Sequence, residues 1–359
     1  MSASTATRVR IAVPLIGSDE RAAVDRVMSS GQIGQGPEVA AFESEFSELV
    51  GGRECVAVNS GTSALHLSLL SIGIGAGDEV IVPSFTFAAT ANAVRLCGAD
   101  PVFVDIDPAT FCMDPESVRA AIGPRTAAIV PVHLYGQPAE MGQIAALASR
   151  HGLAVVEDAA QAHAARFGDT PVGALGDAAA FSFYPTKNMT TGEGGMAVFA
   201  DKAHARTARL LRSQGMERQY ENEIVGFNLR MTDLAAAIGR VQLGRLPGFT
   251  GSRRSNAAML SDGLADALVV PIPAPGTEHV FHQYTVRSAE RDRLHQRLEA
   301  AGIETRSYYP TPVHRLLAFQ DPVELPETER AAAEVLSLPV GPHVTPADVE
   351  RIVEAAVAG

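Results

Sequence analysis

Phe181-Ser182-Phe183-Tyr184-Pro185-Thr186-Lys187-Asn188-Met189-Thr190-Thr191-Gly192-Glu193-Gly194-Gly195 joins two short apolar segments. These segments, Ala179–Phe183 and Met196–Phe199, are continuous apolar runs without polar alternation, which predicts strands buried on both faces of a sheet. The loop between them carries Lys187. Of the 29 basic residues only two, Lys187 and Lys202, are lysines, so arginine is the default wherever charge alone matters. A lysine kept at this point indicates that an amine able to lose its proton is needed. Burial and a nearby positive charge lower such a pKa enough to make a nucleophile. Taken alone, the same residue also reads as a solvated loop lysine.

Outward from this loop, further strands are predicted at Cys55–Val58, Glu79–Val82, Val102–Asp105, Ala127–Val132 and Ala154–Glu157. Helical patterns alternate with them at Ser63–Ile72, Phe87–Leu96, Pro115–Ile122, Met141–His151 and Lys202–Gln214. The alternation predicts an α/β fold with a mostly parallel sheet covered by helices. A longer helix over Met231–Leu246, capped by Thr232 or Asp233, is expected to stop at Pro247. Beyond Gly248 the character changes to a smaller α+β unit. It has helices near Arg253–Leu264 and Arg291–Ala300, a strand at Val280–Val286 and a closing helix after Thr345. The expected division is an N-terminal segment, 1–20, packing near the small domain, a large domain, 21–248, and a small C-terminal domain, 249–359.

The chain has 359 residues, 46% of them hydrophobic, enough for a sizeable core without disulfides or metal. Its formal net charge of −12, with no lysine or arginine run, argues against nucleic-acid binding. Cys55, Cys97 and Cys112 lack metal-ligand spacing and read as reduced thiols of a cytoplasmic protein. The apolar run Ile11–Ile16 is broken by Pro14 and is too short for a secretory signal. No stretch reads as a membrane span.

Three more segments stand out from plain core. Asn59-Ser60-Gly61-Thr62-Ser63-Ala64 follows a strand and opens a helix, a ready site for one phosphate or an ordinary helix cap. Val155-Val156-Glu157-Asp158-Ala159-Ala160-Gln161-Ala162-His163 puts two carboxylates at the carboxyl end of a strand, where open α/β sheets bind ligands. Glu157 and Asp158 point to opposite faces and are not expected to share a role. Gly226-Phe227-Asn228-Leu229-Arg230-Met231-Thr232-Asp233 is a polar turn before a long helix. A phosphate cradle, a carboxylate and an amine at one sheet edge are the parts that hold pyridoxal phosphate.

The sequence resembles the DegT/DnrJ/EryC1/StrS sugar aminotransferases, of the fold type I aspartate-aminotransferase superfamily, from about Ile11 onward. The resemblance is carried by NSGTSALHLSL, GDEVIVPSFTFAATANAV, VEDAAQAHAA, GALGDAAAFSFYPTKNMTTGEGG, GFNLRMTDLAAAIG, YYPTPVH and LSLPV. It implies that Lys187 forms the Schiff base with pyridoxal 5'-phosphate and then moves the substrate proton. Asp158 would pair with the pyridine nitrogen, Gln161 with the ring hydroxyl, and Phe87 would stack on the ring. Gly61, Thr62 and Ser182 would hold the phosphate, and Asn228 would reach that of a neighbouring subunit, making a homodimer the minimum active unit. Tyr309 and His314 are expected near the sugar, with His163 near the cofactor or sugar. A family branch with histidine in place of this lysine performs deoxygenation; Lys187 argues against it.

The implied reaction takes an amino group from an amino acid, L-glutamate foremost, to a keto group of a nucleotide-linked deoxy sugar. Arg230, Arg306 and Arg212 are the candidates for a locally basic mouth on this acidic protein. A cyclitol aminotransferase would share the cofactor motifs, and a non-catalytic regulatory member is the alternative outside the enzymes.

Overall fold

The computed structural model describes residues 8–358, so positions 1–7 of the expected segment 1–20 lie outside the described residues. Seven strands form the central sheet: β1 Glu54–Val58, β2 Glu79–Pro83, β3 Asp100–Val104, β4 Thr126–Ile129, β5 Ala154–Asp158, β6 Ala178–Ser182 and β7 Gly195–Phe199. Their order is β1-β7-β6-β5-β4-β2-β3. All neighbours are parallel except β7, which runs against both β1 and β6. The β6–β7 connection contains no crossover helix, and a direct return of the chain makes the pair antiparallel. That return is the lysine loop.

The helices α1 Ser18–Ser30, α2 Pro37–Leu49, α3 Gly61–Ser71, α4 Ala89–Leu96, α5 Pro115–Ala121, α6 Met141–His151 and α7 Lys202–Arg212 precede a long α8. Alternate strand residues serve opposite faces of the sheet. Val56, Val156 and Ala180 lie in a core with Leu65 and Leu69 of α3, Val94 of α4 and Ala208 of α7. On the other face, Ile129 and Val155 pack with Ile144 and Leu147 of α6. Phe42 and Phe46 of α2 meet Phe181 and Phe183 there, at centroid separations of 5.0–5.6 Å. Each such aromatic pair adds about 0.5–1.5 kcal/mol beyond area burial, so the strand leading into the lysine loop is anchored by its own rings.

Helix α8 runs unbroken from Asp233 to Leu264, with Pro247 inside it. The expected stop at Pro247 is therefore corrected: one helix replaces the two predicted. Proline removes one backbone hydrogen bond, but tertiary contacts hold both halves. Arg240 pairs with Glu38 and Glu45, Arg245 with Glu20, and Leu260 and Leu264 are buried in the C-terminal core. Thr232 is the N-cap, accepting from the Ala235 N–H at 3.2 Å. Asp233 instead accepts from the N–H groups of Gly36 and Val39, fixing the start of α2.

The C-terminal core packs α8 with α9 Arg291–Ala300, α11 Pro346–Val357 and an antiparallel pair, β8 Tyr284–Arg287 and β9 Val335–Leu338. Between them α10 spans Pro326–Glu334. The strand expected from Val280 begins only at Tyr284, because Phe281 adopts a left-handed φ of 45° that no regular strand tolerates. Val9 joins this core and exchanges backbone hydrogen bonds of 2.9 Å with Gly302 and Glu304.

Candidate active site

The lysine loop is built by short-range closure. Lys187 N–H donates to Tyr184 C=O at 2.9 Å, and Thr191 N–H and Thr190 Oγ1 both donate to Phe183 C=O. Gly195 follows at the start of β7, where a Cβ would lie 2.3 Å from the Ser60 carbonyl oxygen. Only glycine lets β7 run that close to the turn before α3. Lys187 is partly buried, and burial pushes its amine down to about 8, against the opposing pull of Asp158.

Asp158 ends β5 and is 5% exposed. Its Oδ2 accepts from Thr90 Oγ1 at 2.8 Å and its Oδ1 from Ala160 N–H at 3.2 Å. Burial raises its pKa, while Thr90, Ala160, Lys187 and His133 act to lower it. Glu157 faces the other way. It accepts from the N–H groups of Gly173, Leu175 and Gly176 at 2.8 Å and meets His133 Nε2 at 3.0 Å, so its work is to fix a loop.

The first turn of α3 completes the group. Ser60 caps it by accepting from Ser63 N–H at 3.1 Å. The leading N–H groups of a helix, here those of Gly61 and Thr62, have no preceding carbonyl of the helix to bond. A Cβ at Gly61 would lie 2.6 Å from Ser182 Cβ, so this turn sits directly against the end of β6. Backbone donors and a serine hydroxyl at one helix start are groups that can hydrogen-bond an anion.

The far side is aromatic. Gln161 Oε1 accepts from Tyr135 N–H at 2.8 Å, and its Nε2 donates to Tyr309 Oη at 3.0 Å. Tyr309 lies 6.0 Å from Phe87, centroid to centroid, at an interplanar angle of 37°. Phe87 itself is 60% exposed, unusual for a large ring in a core-forming segment.

An amine of lowered pKa, a buried carboxylate and the free N–H groups of a helix start gather around the ends of β5 and β6, and the chain as a whole says which proteins it is akin to. It matches the DegT/DnrJ/EryC1/StrS aminotransferase family over residues 14–357. It belongs to that family. The aminotransferase is 45% identical over 93% of its length to a dTDP-3-amino-3,4,6-trideoxy-alpha-D-glucose transaminase of Streptomyces venezuelae, covering 90% of that protein. It is 42% identical over 92% of its length to a pleiotropic regulatory protein of Geobacillus stearothermophilus, covering 91% of it. The crystal structure of S. venezuelae DesV superposes with a TM-score of 0.93, at 43% identity over 98% of both chains. The architecture is that of the fold type I, pyridoxal-phosphate-dependent transferases.

The remaining expected site residues are spread more widely. His163 is fully buried, 5.3 Å from the Phe181 ring and 5.7 Å from that of Phe183, without a hydrogen-bond partner on either nitrogen. His314 is also buried: Nδ1 meets Ser84 Oγ at 2.5 Å and Nε2 faces Glu329 at 3.4 Å, tying the 308–320 segment to the end of β2. Asn228 is exposed, at the end of a segment that pairs with Ser213. Arg230 lines a cavity of about 420 Å³ with Asn59, Thr191 and Glu193. Arg306 is exposed and bonded to Glu304. Arg212 does not fit a basic mouth: it is 6% exposed, donates to Glu43 at 2.6 Å and to the Ala57 carbonyl, and so is consumed inside the protein.

Sequence reading missed Thr90, Tyr135, Asn188 and His282. Thr90 had a legible signal, a hydroxyl one helical turn after Phe87 on an otherwise alanine-rich face. Tyr135 and His282 had none, because each reaches the site through a non-regular segment.

Proposed function

We propose that this aminotransferase uses pyridoxal 5'-phosphate to move an amino group from L-glutamate to a keto group of a nucleotide-linked deoxy sugar, acting as a homodimer in the cytoplasm. The observation that carries the reading is Lys187, on the loop after β6 with its amine lowered to about 8, under the pull of a buried Asp158 at the end of the neighbouring strand β5. When bound, the cofactor supplies a ring that absorbs the electron pair left as the substrate loses its proton.

Every other part of the reaction falls to the chain. An amine with a pKa near 8 has a usable unprotonated fraction at neutral pH, so Lys187 suits both bond formation to a carbonyl carbon and proton transfer. A desolvated carboxylate gains most from a cationic partner, and Asp158 is suited to holding a proton on the pyridine nitrogen. Gly61, Thr62 and Ser182 suit the phosphate, Phe87 the ring face, and Gln161 the ring hydroxyl. Tyr309 stands beside both of the latter, where a sugar ring would lie.

The named relatives support the acceptor class. They include the transaminase above, a GDP-perosamine synthase of Caulobacter vibrioides at 42% identity, and solved structures described as cofactor-bound forms. The exposed segment ending at Asn228, with Tyr220 85% and Val225 91% exposed, suits contact with a second copy. Arg230 and Arg306 suit the diphosphate. In this reading residues 21–248 bind the cofactor and 249–359 close the sugar side. Three unpaired cysteines suit a reducing compartment.

The test is the near-ultraviolet and visible spectrum of protein loaded with pyridoxal phosphate, before and after L-glutamate, beside Lys187→Ala. A visible band that glutamate bleaches in the wild type, and that the variant lacks, supports cofactor, lysine and donor together. Protein that stays colourless with the cofactor would sink the reading.

A further inference from the structure

One buried element near Lys187 has no part in the chemistry above. The segment 280–283, just before β8, is gripped from two sides. Val280 N–H donates to Gly136 C=O at 3.0 Å and Gln283 N–H to Tyr135 C=O at 3.2 Å. Arg253 of α8, buried and without a carboxylate partner among the described residues, donates from Nη1 to the carbonyls of Phe281 and His282 at 3.2 Å. Gly136, at φ 96°, is where this segment passes the Gln161 backbone: a Cβ there would meet Val280 at 2.8 Å and the Gln161 carbonyl oxygen at 3.2 Å.

From the middle of this clamped segment the His282 side chain reaches the lysine loop. Its Nδ1 stands 3.1 Å from Oδ1 of Asn188, the residue after Lys187, and its Nε2 stands 3.4 Å from Gln283 Nε2. Both nitrogens are satisfied by one neutral tautomer, with Nδ1–H donating to Asn188 and Nε2 accepting from the Gln283 amide. His282 and Asn188 are both buried, so neither exchanges its partner for water.

We propose that His282 is a positioning residue for Lys187, whose Nδ1–H to Asn188 Oδ1 bond sets the lysine-bearing turn against the same segment that, through Tyr135, sets Gln161. Asn188 directly follows the turn Tyr184–Lys187 that the Lys187 N–H to Tyr184 C=O bond closes, so a displaced Asn188 moves the peptide adjoining the lysine and with it the Lys187 side chain. Tyr135 offers its carbonyl to Gln283 and its N–H to Gln161, so one segment references both sides of the site. Burial and the nearby Lys187, Arg253, His163 and His279 hold the imidazole well below its usual pKa, which keeps Nε2 an acceptor. The inference rests on Lys187 being the reacting amine.

The experiment compares His282→Ala, His282→Asn and Asn188→Ala in the full chain, with Lys187→Ala as control. Cofactor-stripped protein is labelled with trace acetic anhydride from pH 6 to 10, and the Lys187 to Lys202 ratio is read by peptide mass. Lys202 is exposed on α7 and serves as internal reference. In His282→Ala the ratio is expected to change at least ~3-fold and kcat of the loaded enzyme to fall ~10-fold with the acceptor KM within ~2-fold. His282→Asn, which keeps an N–H near the Nδ1 position, is expected to restore both, and the Ala variants at 188 and 282 to be non-additive. A wild-type labelling ratio in His282→Ala, or His282→Asn matching His282→Ala, overturns the proposal. If His282→Ala does not fold, Asn188→Ala is decisive alone, an unchanged Lys187 ratio there counting against it. Turnover retained by Lys187→Ala would instead remove the reading of Lys187 itself, while the labelling ratio would still report the geometry.

Discussion

Gly61 and Ser182 lie so close that a methyl group at position 61 would sit 2.6 Å from the Ser182 Cβ. The two residues come from different elements, the first turn of α3 and the last residue of β6, and their contact sets the spacing of the proposed phosphate-binding groups. Gly61→Ala is therefore expected to push Ser182 and the strand end outward. We expect a stability loss of about 1–3 kcal/mol from overpacking. Pyridoxal phosphate affinity should fall by ~10-fold or more, measured by fluorescence titration of stripped protein beside a thermal melt.

Thr90 gives Asp158 one of its two hydrogen bonds. Thr90→Val keeps the shape and removes the donor, so the already raised Asp158 pKa should rise further. The carboxylate then takes up its proton at higher pH. The acid limb of the kcat pH profile should move toward neutrality, with wild-type activity recovered on the alkaline side.

Lys187, lowered from 10.5 to about 8, binds fewer protons folded than unfolded between those pH values. Stability of the cofactor-free protein should accordingly gain a contribution as pH rises from about 8 to 10.5, and that contribution is lost as pH falls through 8. Lys187→Met should remove it. Urea unfolding of both proteins at pH 7.5 and 10 checks the sign: the variant's stability relative to wild type should be higher at pH 7.5 than at pH 10.

His163 and His279 are held neutral by burial, each with its pKa lowered to about 3. Between there and the ordinary histidine value of 6.5 the unfolded chain binds the extra protons, so stability falls as pH drops across that window. Each such histidine contributes a slope of up to about 1.4 kcal/mol per pH unit. His163→Met, which matches the volume in an apolar pocket, should unfold with about one proton less uptake at pH 5, read from denaturant midpoints at pH 5 and 7.

Arg230 and Arg212 should separate cleanly. Arg230→Ala is expected to raise the KM for a nucleotide sugar by ~10-fold while leaving the glutamate half-reaction near wild type. Arg212→Ala leaves the partly buried Glu43 without its cationic partner and should instead cost about 1–3 kcal/mol of stability. An Arg230→Ala enzyme with unchanged acceptor KM would remove that residue from the substrate mouth.

The seven central strands and the helices between them were legible because a doubly covered parallel sheet writes itself as apolar runs separated by amphipathic stretches. The placing of Asp158 and the Gly61 turn at strand ends, and of Lys187 on the loop between two strands, was legible because local sequence there fixes position in the sheet. Pro247 misled for the converse reason: propensity argues a stop, but Arg240, Arg245, Leu260 and Leu264 anchor both halves of α8 to elements distant in sequence. Tertiary structure alone decided that Arg212 is spent on Glu43, that His163 and His314 are buried, and that Tyr309 comes to stand beside Gln161 and Phe87. It also decided that His282, 95 residues beyond Lys187, shares a hydrogen bond with the next residue of the lysine loop. Such contacts join elements distant in sequence, and no period or spacing in a single chain encodes the direction in which a side chain points between them.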